Sequence, residues 1–298
     1  MGDTDELHGL RKTFYVGAWQ QVVNEATNPG SMPRTEAAKQ ERRVYLYRAY
    51  VAQRRFVMAT NEIADADPVE LKAVRALARH SAAASSEQKD AALAETRALV
   101  QEGPLSPLLA VLAATVFYNH DVTDEALRVL HPFPKNLEAV ALTTQTLLKM
   151  NRVDLAKKEI AAVKAWADDA TLAQMIEAWA NLFPSAEDKF HEAFYTFDEI
   201  ASSNTATAKL LTSKAVCKIH AGKFDEAEDL LGSALNWDNN NAEALINFIV
   251  CAHATGKPNE VIARYMNQLR DAAPHHMYLQ EVQLKQDMFD RAAQRFAV

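Results

Sequence analysis

The sequence predicts an all-α fold, a helical-repeat solenoid of about eight helix pairs followed by a C-terminal capping helix. Three observations carry that expectation. The 298 residues include only 8 glycines and 10 prolines, against usual shares of about 7% and 5%, so the chain lacks the turn residues of a barrel or sandwich. Alanine, the best helix former, supplies about one residue in six. The third is a self-match. Lys189-Phe190-His191-Glu192-Ala193 returns 34 positions later as Lys223-Phe224-Asp225-Glu226-Ala227. Gly222-Lys223 returns as Gly256-Lys257, and Leu211 as Leu245, at the same interval of 34.

A 34-residue period is that of the tetratricopeptide repeat, a helix–turn–helix unit. The residues suit its slots. From about 208 to 241, Leu211 takes the large apolar position of the first helix and Ala215 the small one. Gly222 stands where the helix end wants a left-handed residue, and Phe224 opens the second helix. Ala227 and Ala234 let the helices approach, Leu231 fills between them, and Asp238-Asn239-Asn240-Asn241 turns into the next unit. Phe190 and Phe224 share one slot and are expected to be mostly buried.

The earlier units are more worn. In chain order the predicted pairs are roughly 5–15 with 18–27, 36–55 with 56–65, 69–80 with 87–101, and 105–119 with 124–131. Then come 135–150 with 153–167 and 170–182 with 186–201, ahead of the regular repeats. Breaks fall at Asn28-Pro29-Gly30, Asp67-Pro68, Gly103-Pro104 and His131-Pro132-Phe133-Pro134, where helix does not readily continue. Each unit hides its apolar face against its neighbours, so a two-domain expectation from length alone gives way to a single solenoid over 1–298. Within it, 1–134 are degenerate repeats, 135–273 more regular ones and 274–298 the cap.

Charge and composition exclude several classes. With 32 basic and 39 acidic residues the net charge is −7 and the pI about 5.7, the opposite of a phosphate-tracking surface, so no nucleic-acid partner is expected. The acidic start, Met1-Gly2-Asp3-Thr4-Asp5-Glu6, has no apolar segment of a secretory leader. Leu108 to Tyr118, the longest apolar stretch, falls far short of the ~20 residues that span a bilayer. Two cysteines make no disulfide framework. A soluble, intracellular protein without membrane insertion is the expectation.

Catalytic and cofactor motifs are sought without result. There is no GxG for a dinucleotide or Walker loop, no GxSxG elbow and no HExxH. His191-Glu192 comes nearest to the last, but Tyr195 stands where the second His belongs. Cys217 and Cys251, 34 apart, occupy one slot of successive repeats, and stacked helices hold such slots about 10 Å apart, beyond the ~7 Å limit for a disulfide. They read as small buried hydrophobes. His275-His276 reads as a solvated turn before the cap. No catalytic, metal or cofactor site is expected, and the chain reads as a non-enzyme.

From Arg42-Arg43-Val44-Tyr45-Leu46-Tyr47-Arg48-Ala49-Tyr50 to Arg54-Arg55, aromatic and basic residues mix. Its helical projection gives three apolar stripes, the pattern of a helix buried on more than one side. That fits an inner solenoid helix packed on both neighbours; the alternative leaves one stripe for a partner protein.

With these residues laid out, the chain resembles the coatomer epsilon subunit family, part of the COPI vesicle coat, over nearly its whole length. The resemblance runs through Asp5-Glu6-Leu7, Phe14-Tyr15-Val16-Gly17-Ala18-Trp19-Gln20-Gln21 and Glu41 to Gln53. It continues in Lys214-Ala215-Val216-Cys217, Gly222 to Glu228, Leu245 to Cys251, Arg264 to Leu269 and Phe289 to Phe296. It departs in the loops Asn28 to Thr35 and Ser81 to Asp90. The resemblance implies a non-enzymatic coat component that clasps the C-terminal domain of the alpha subunit, its N-terminal repeats curling around a projecting hairpin of that partner. It also implies a cytoplasmic protein, peripheral on Golgi membranes and COPI-coated vesicles, serving intra-Golgi transport and retrograde transport to the endoplasmic reticulum.

The early units carry a surplus of large aromatics, and aromatic and Arg side chains are what interface anchors tend to be. The expected anchors are therefore Trp19, Tyr45, Arg48 and Tyr50, with most of the contact in 1–134. The alternative is a tetratricopeptide adaptor of another complex. A chaperone-docking protein would need a clamp of Lys, Arg and Asn on its first helices, and here Asn247 alone stands at such a slot beside Thr212, Val216, Ile246 and Val250. A regulatory subunit of an enzyme is the other form of that alternative.

Overall fold

The computed structural model describes residues 5–183 and 187–296. The chain divides into two compact units, Met1–Ser185 and Ala186–Val298. In the first unit the helices pair in chain order. α1 (His8–Tyr15) pairs with α2 (Trp19–Thr27), α3 (Glu36–Ala52) with α4 (Phe56–Glu62), and α5 (Val69–Ala82) with α6 (Ser86–Gln101). α7 (Pro107–Asn119) pairs with α8 (Thr123–Leu130), α9 (Leu137–Lys149) with α10 (Val153–Ala167), and α11 (Thr171–Asn181) closes the unit. The second unit holds α12 (Glu187–Ser202), α13 (Ala208–His220), α14 (Phe224–Trp237), α15 (Ala242–Ala254), α16 (Asn259–Ala272) and α17 (Met277–Gln294). No strand occurs among the described residues. The helices fall where the periodicity put them, and the fold is of the tetratricopeptide type.

One local device recurs at the ends of α1, α3, α7, α9, α13 and α15. Two residues past each helix the chain turns left-handed, at Gly17, Arg54, Asp121, Asn151, Gly222 and Gly256. The next amide then reaches back to the carbonyl five residues earlier, as in Ala18 to Thr13 (3.2 Å), Arg152 to Leu147 (2.8 Å) and Lys223 to Lys218 (2.9 Å). This is the Schellman closure, which satisfies carbonyls that the helix leaves without partners. Three of the six positions are not glycine, so glycine marks only half of these turns in the sequence.

In the first unit, three of the first helices also start on a side-chain cap. Thr35 caps α3 by accepting from Ala38 N, Ser106 caps α7 through Leu109 N, and Asn136 caps α9 through Ala139 N. Pro107 then occupies the first position of α7, where no amide donor is needed.

α3 is packed on more than one side, as its three stripes predict: Arg42, Val44, Tyr45, Tyr47, Ala49 and Tyr50 are all buried. Arg42 closes the end of α2 from within. Its Nη2 donates to the carbonyls of Glu25 (2.8 Å) and Asn28 (2.6 Å) and to Ser31 Oγ (3.2 Å). A continuous core runs from Leu7 and Leu10 through Tyr45, Leu71 and Leu112 to Phe117 and Leu142. A second cluster, Val140 to Ala180, joins α9, α10 and α11 and takes the ring of Tyr15 from α1 against it.

In the second unit the repeat slots fill as expected. Ala215, Ala227, Leu231, Ala234 and Leu245 are fully enclosed, and Leu211 is nearly so. The two cysteines are free and buried; burial pushes the Cys217 thiol up to about 12 and the Cys251 thiol to about 11. Phe190 and Phe224 are mostly buried, as expected, though neither is fully enclosed; Phe224, the first residue of α14, packs against the core of its unit. His275-His276 stands in the turn before α17, as expected. His276 Nδ1 caps α17 by accepting from Tyr278 N (3.2 Å), and its Nε2 lies 3.2 Å from Glu243 Oε1. Apart from Tyr278 and Leu279, which pack on Ile249 and Leu269, α17 leaves much of its apolar surface exposed, including Met277, Leu284, Met288 and Phe289.

Candidate partner-binding cavity

In an extended solenoid each repeat touches only its neighbours. The first unit departs from that rule, because α1 packs against α11. Between them α1, α3, α5, α7, α9 and α11 line a half-open cavity of about 760 Å³. Helix starts dominate its wall: Ala37 of α3, Glu70 of α5, Pro107 and Leu108 of α7, Leu137 and Glu138 of α9, Thr171 and Leu172 of α11. Such a space is large enough for a small ligand or the tip of a polypeptide segment.

Its polar groups are held in place. Arg11 donates Nε to Glu41 Oε1 (2.8 Å) and Nη1 to Asp5 Oδ2 (2.6 Å). Burial alone would lower the Arg11 pKa, but Glu41 and Asp5 leave it raised. Glu70 accepts from Gln40 Nε2 and from Ser106 Oγ, each at 2.8 Å. Glu138 is the hub. Its Oε2 accepts from the phenols of Tyr45 (3.1 Å) and Tyr15 (3.5 Å), and its Oε1 from Arg48 Nη2. The two phenol oxygens lie 3.3 Å apart. Burial first, and then the Glu138 charge, raise both tyrosine pKa values, so both stay protonated donors. The Arg48 guanidinium also lies 4.5 Å above the Phe14 ring and 5.0 Å above the Tyr45 ring.

Of the four expected anchors, Tyr45 lines this cavity, though it is itself 1% exposed. Arg48 stands behind the wall against Glu138. Trp19, half-buried at the start of α2, packs edge-on to Phe14 with ring centroids 5.0 Å apart. Tyr50 is buried and covered by Arg55, 4.8 Å above its ring. Residue reading missed Arg11, Glu41, Glu70 and Glu138. Each is an unremarkable charge on an amphipathic helix, and only the closure of α1 onto α11 brings them to one space. Among the described residues no group of three or more His, Cys, Asp or Glu could hold a metal ion, and no helix is long and apolar enough to cross a membrane.

Fold and cavity define a tetratricopeptide-type solenoid protein. A tetratricopeptide repeat protein from Parabacteroides merdae superposes with a TM-score of 0.59 at 11% identity, covering 89% of this chain and 96% of that one. A chain of the APC/C hetero-tetramer Cut9–Hcn1 superposes with a TM-score of 0.60 at 11% identity, covering 92% of this chain and 54% of that one. Sequence comparison is more specific. The family model described as coatomer epsilon subunit matches residues 3–297. The chain is 32% identical to coatomer subunit epsilon-1 of Arabidopsis thaliana, over 100% of this chain and 99% of that one. It is 35% identical to coatomer subunit epsilon of Caenorhabditis elegans, over 97% and 98%. The chain belongs to the coatomer epsilon subunit family and is a subunit of the COPI vesicle coat.

Proposed function

We propose that this chain is the non-enzymatic subunit that clasps the C-terminal domain of the coatomer alpha subunit and stabilises it within the coat. The observation that carries the reading is the half-open cavity of the first unit, whose wall is drawn from six successive first helices. A projecting segment of the partner, such as the hairpin that the family resemblance implies, would enter it. The clasp expected over 1–134 then extends to about Leu172, since α9 and α11 supply part of the wall. Tyr45 would meet the segment, with Trp19, Arg48 and Tyr50 holding the wall from behind.

Through the alpha subunit the chain would join the assembled coat, in the cytoplasm and peripheral on Golgi membranes, in intra-Golgi and Golgi-to-endoplasmic-reticulum transport. A permanent contact of this kind buries more than about 2,000 Å² and is rather apolar, so it should resist moderate salt. The test is Ala37→Trp, which puts a large side chain on an exposed part of the cavity wall. Calorimetric titration of the full chain with the alpha subunit's C-terminal domain should show binding weakened at least about tenfold, about 1.4 kcal/mol. Unchanged affinity in a variant with wild-type helicity would overturn the reading.

A further inference from the structure

We infer that the contact of α1 and α3 with α9 and α11 is an opening seam, latched at Glu138, through which the clasp loads and releases its partner. The inference rests on the clasp reading for its purpose; the latch itself rests on geometry alone.

Every other junction in the first unit's ring of first helices joins neighbours in sequence, so the covalent chain limits how far they part. α1 and α11 are joined by no short connection, and their packing is the closure of the ring. Across that seam the polar contacts converge on one carboxylate. Tyr15 of α1, with Tyr45 and Arg48 of α3, all donate to Glu138 at the start of α9. Charge-assisted hydrogen bonds are stronger than neutral ones, and here they are shielded from water, since the side chains of Arg48 and Glu138 are 10% and 15% exposed. α1 is eight residues long with Leu10 as its buried residue, and it joins α2 through Gly17 at a φ of 87°.

A segment seated in the cavity would touch both sides of the seam, because Arg11 and Tyr15 lie on one side and Glu138 and Leu172 on the other. Binding therefore favours the closed ring, and the closed ring retards escape. That coupling is a property of a two-state element biased by its occupant.

Two arms test it on the full-length chain. In the first, without partner, amide hydrogen exchange is followed in wild type, Glu138→Gln and Tyr15→Phe. The second variant removes one donor and keeps the ring, so it guards against a folding defect in the first. Exchange in α1 should rise about tenfold in Glu138→Gln and about two- to fivefold in Tyr15→Phe, with α5 and α7 unchanged. If α1 exchanges no faster in either variant, the latch is overturned. In the second arm, stopped-flow mixing with the alpha subunit's C-terminal domain should give an association rate that levels off with concentration, at a plateau that rises in both variants, along with faster dissociation. A rate that climbs linearly, with dissociation unaltered, would overturn loading through the seam. If no complex forms at any concentration, the clasp reading and the loading role both fall, and the exchange arm alone judges the latch.

Discussion

Arg48 and Glu138 lie ninety positions apart in the chain and share a hydrogen-bonded ion pair beneath the wall of the cavity. Taking both charges out of water is costly, and their attraction together with the two phenols offsets that cost. Burial alone would lower the Arg48 pKa, but Glu138 and the tyrosines leave it well above the ordinary guanidinium value. Arg48 therefore remains charged at any pH at which the protein folds.

Breaking it from one side should be severe. Arg48→Met leaves Glu138 buried without its counter-ion and is expected to cost about 3–5 kcal/mol. Arg48→Met with Glu138→Leu removes both charges and should restore much of that loss. Denaturant titration of the two variants checks the order; a double variant as unstable as the single one would show that the pair's value is not electrostatic.

Two glycines should respond to alanine with opposite signs. Gly222 lies at a φ of +71° with open space where a Cβ would stand, so Gly222→Ala should cost about 1–2 kcal/mol from backbone strain alone. Gly232 lies inside α14 and also has nothing within 4 Å of its Cβ position. There Gly232→Ala should stabilise by about 0.5–1 kcal/mol. Thermal melts that move in the same direction would refute the assignment of either position.

His80 makes stability depend on pH. It is 3% exposed, with Nε2 3.1 Å from His120 Nδ1, while His120 Nε2 faces Asp90 Oδ1 at 3.2 Å. Burial, with His120 and Lys89 nearby, lowers its pKa to about 4. The folded protein thus keeps His80 neutral while the unfolded chain protonates it near 6.5. Unfolding takes up a proton between those values, so the contribution is complete above about pH 6.5 and is lost as pH falls toward 4. It amounts to about 3 kcal/mol in all. His80→Leu should flatten the decline of melting temperature between pH 7 and 5; an equal decline in both proteins would refute it.

The repeat slots of α14 give a graded pair. Ala227 is fully enclosed, and Ala227→Leu should cost about 1–3 kcal/mol through overpacking. Phe224 is mostly buried but not fully enclosed, so Phe224→Ala should cost about 1–2 kcal/mol, below the figure for a fully enclosed ring. Chemical denaturation of both variants measures the ratio.

Helix boundaries were legible because Pro, Gly and Asn clusters punctuate the chain and because apolar slots recur at a fixed interval. The left-handed turns at Arg54, Asp121 and Asn151 were not, since a backbone closure five residues long constrains φ without demanding glycine. The cavity was less legible still. Tyr45 stood out as an aromatic beside arginines, whereas Glu138 is one of many acids in the first turn of a helix. What singles it out is that residues 15, 45 and 48 return to it after a full circuit of helices, and no periodicity within a single repeat encodes that return.

The packing of α1 onto α11 has a further consequence, for how the first unit comes apart. A linear array frays from its ends, because a terminal repeat loses contact with one neighbour only. Here the terminal repeat is fastened to the far side of the array, so peeling it away also breaks the packing of α1 on α11 and the hydrogen bond from Tyr15 to Glu138, 123 positions distant. Such long-range pairings raise the contact order, which slows folding, and they tie the fate of α1 to that of α9 and α11. Beyond the local opening of α1 at the seam, the first unit should melt as one block.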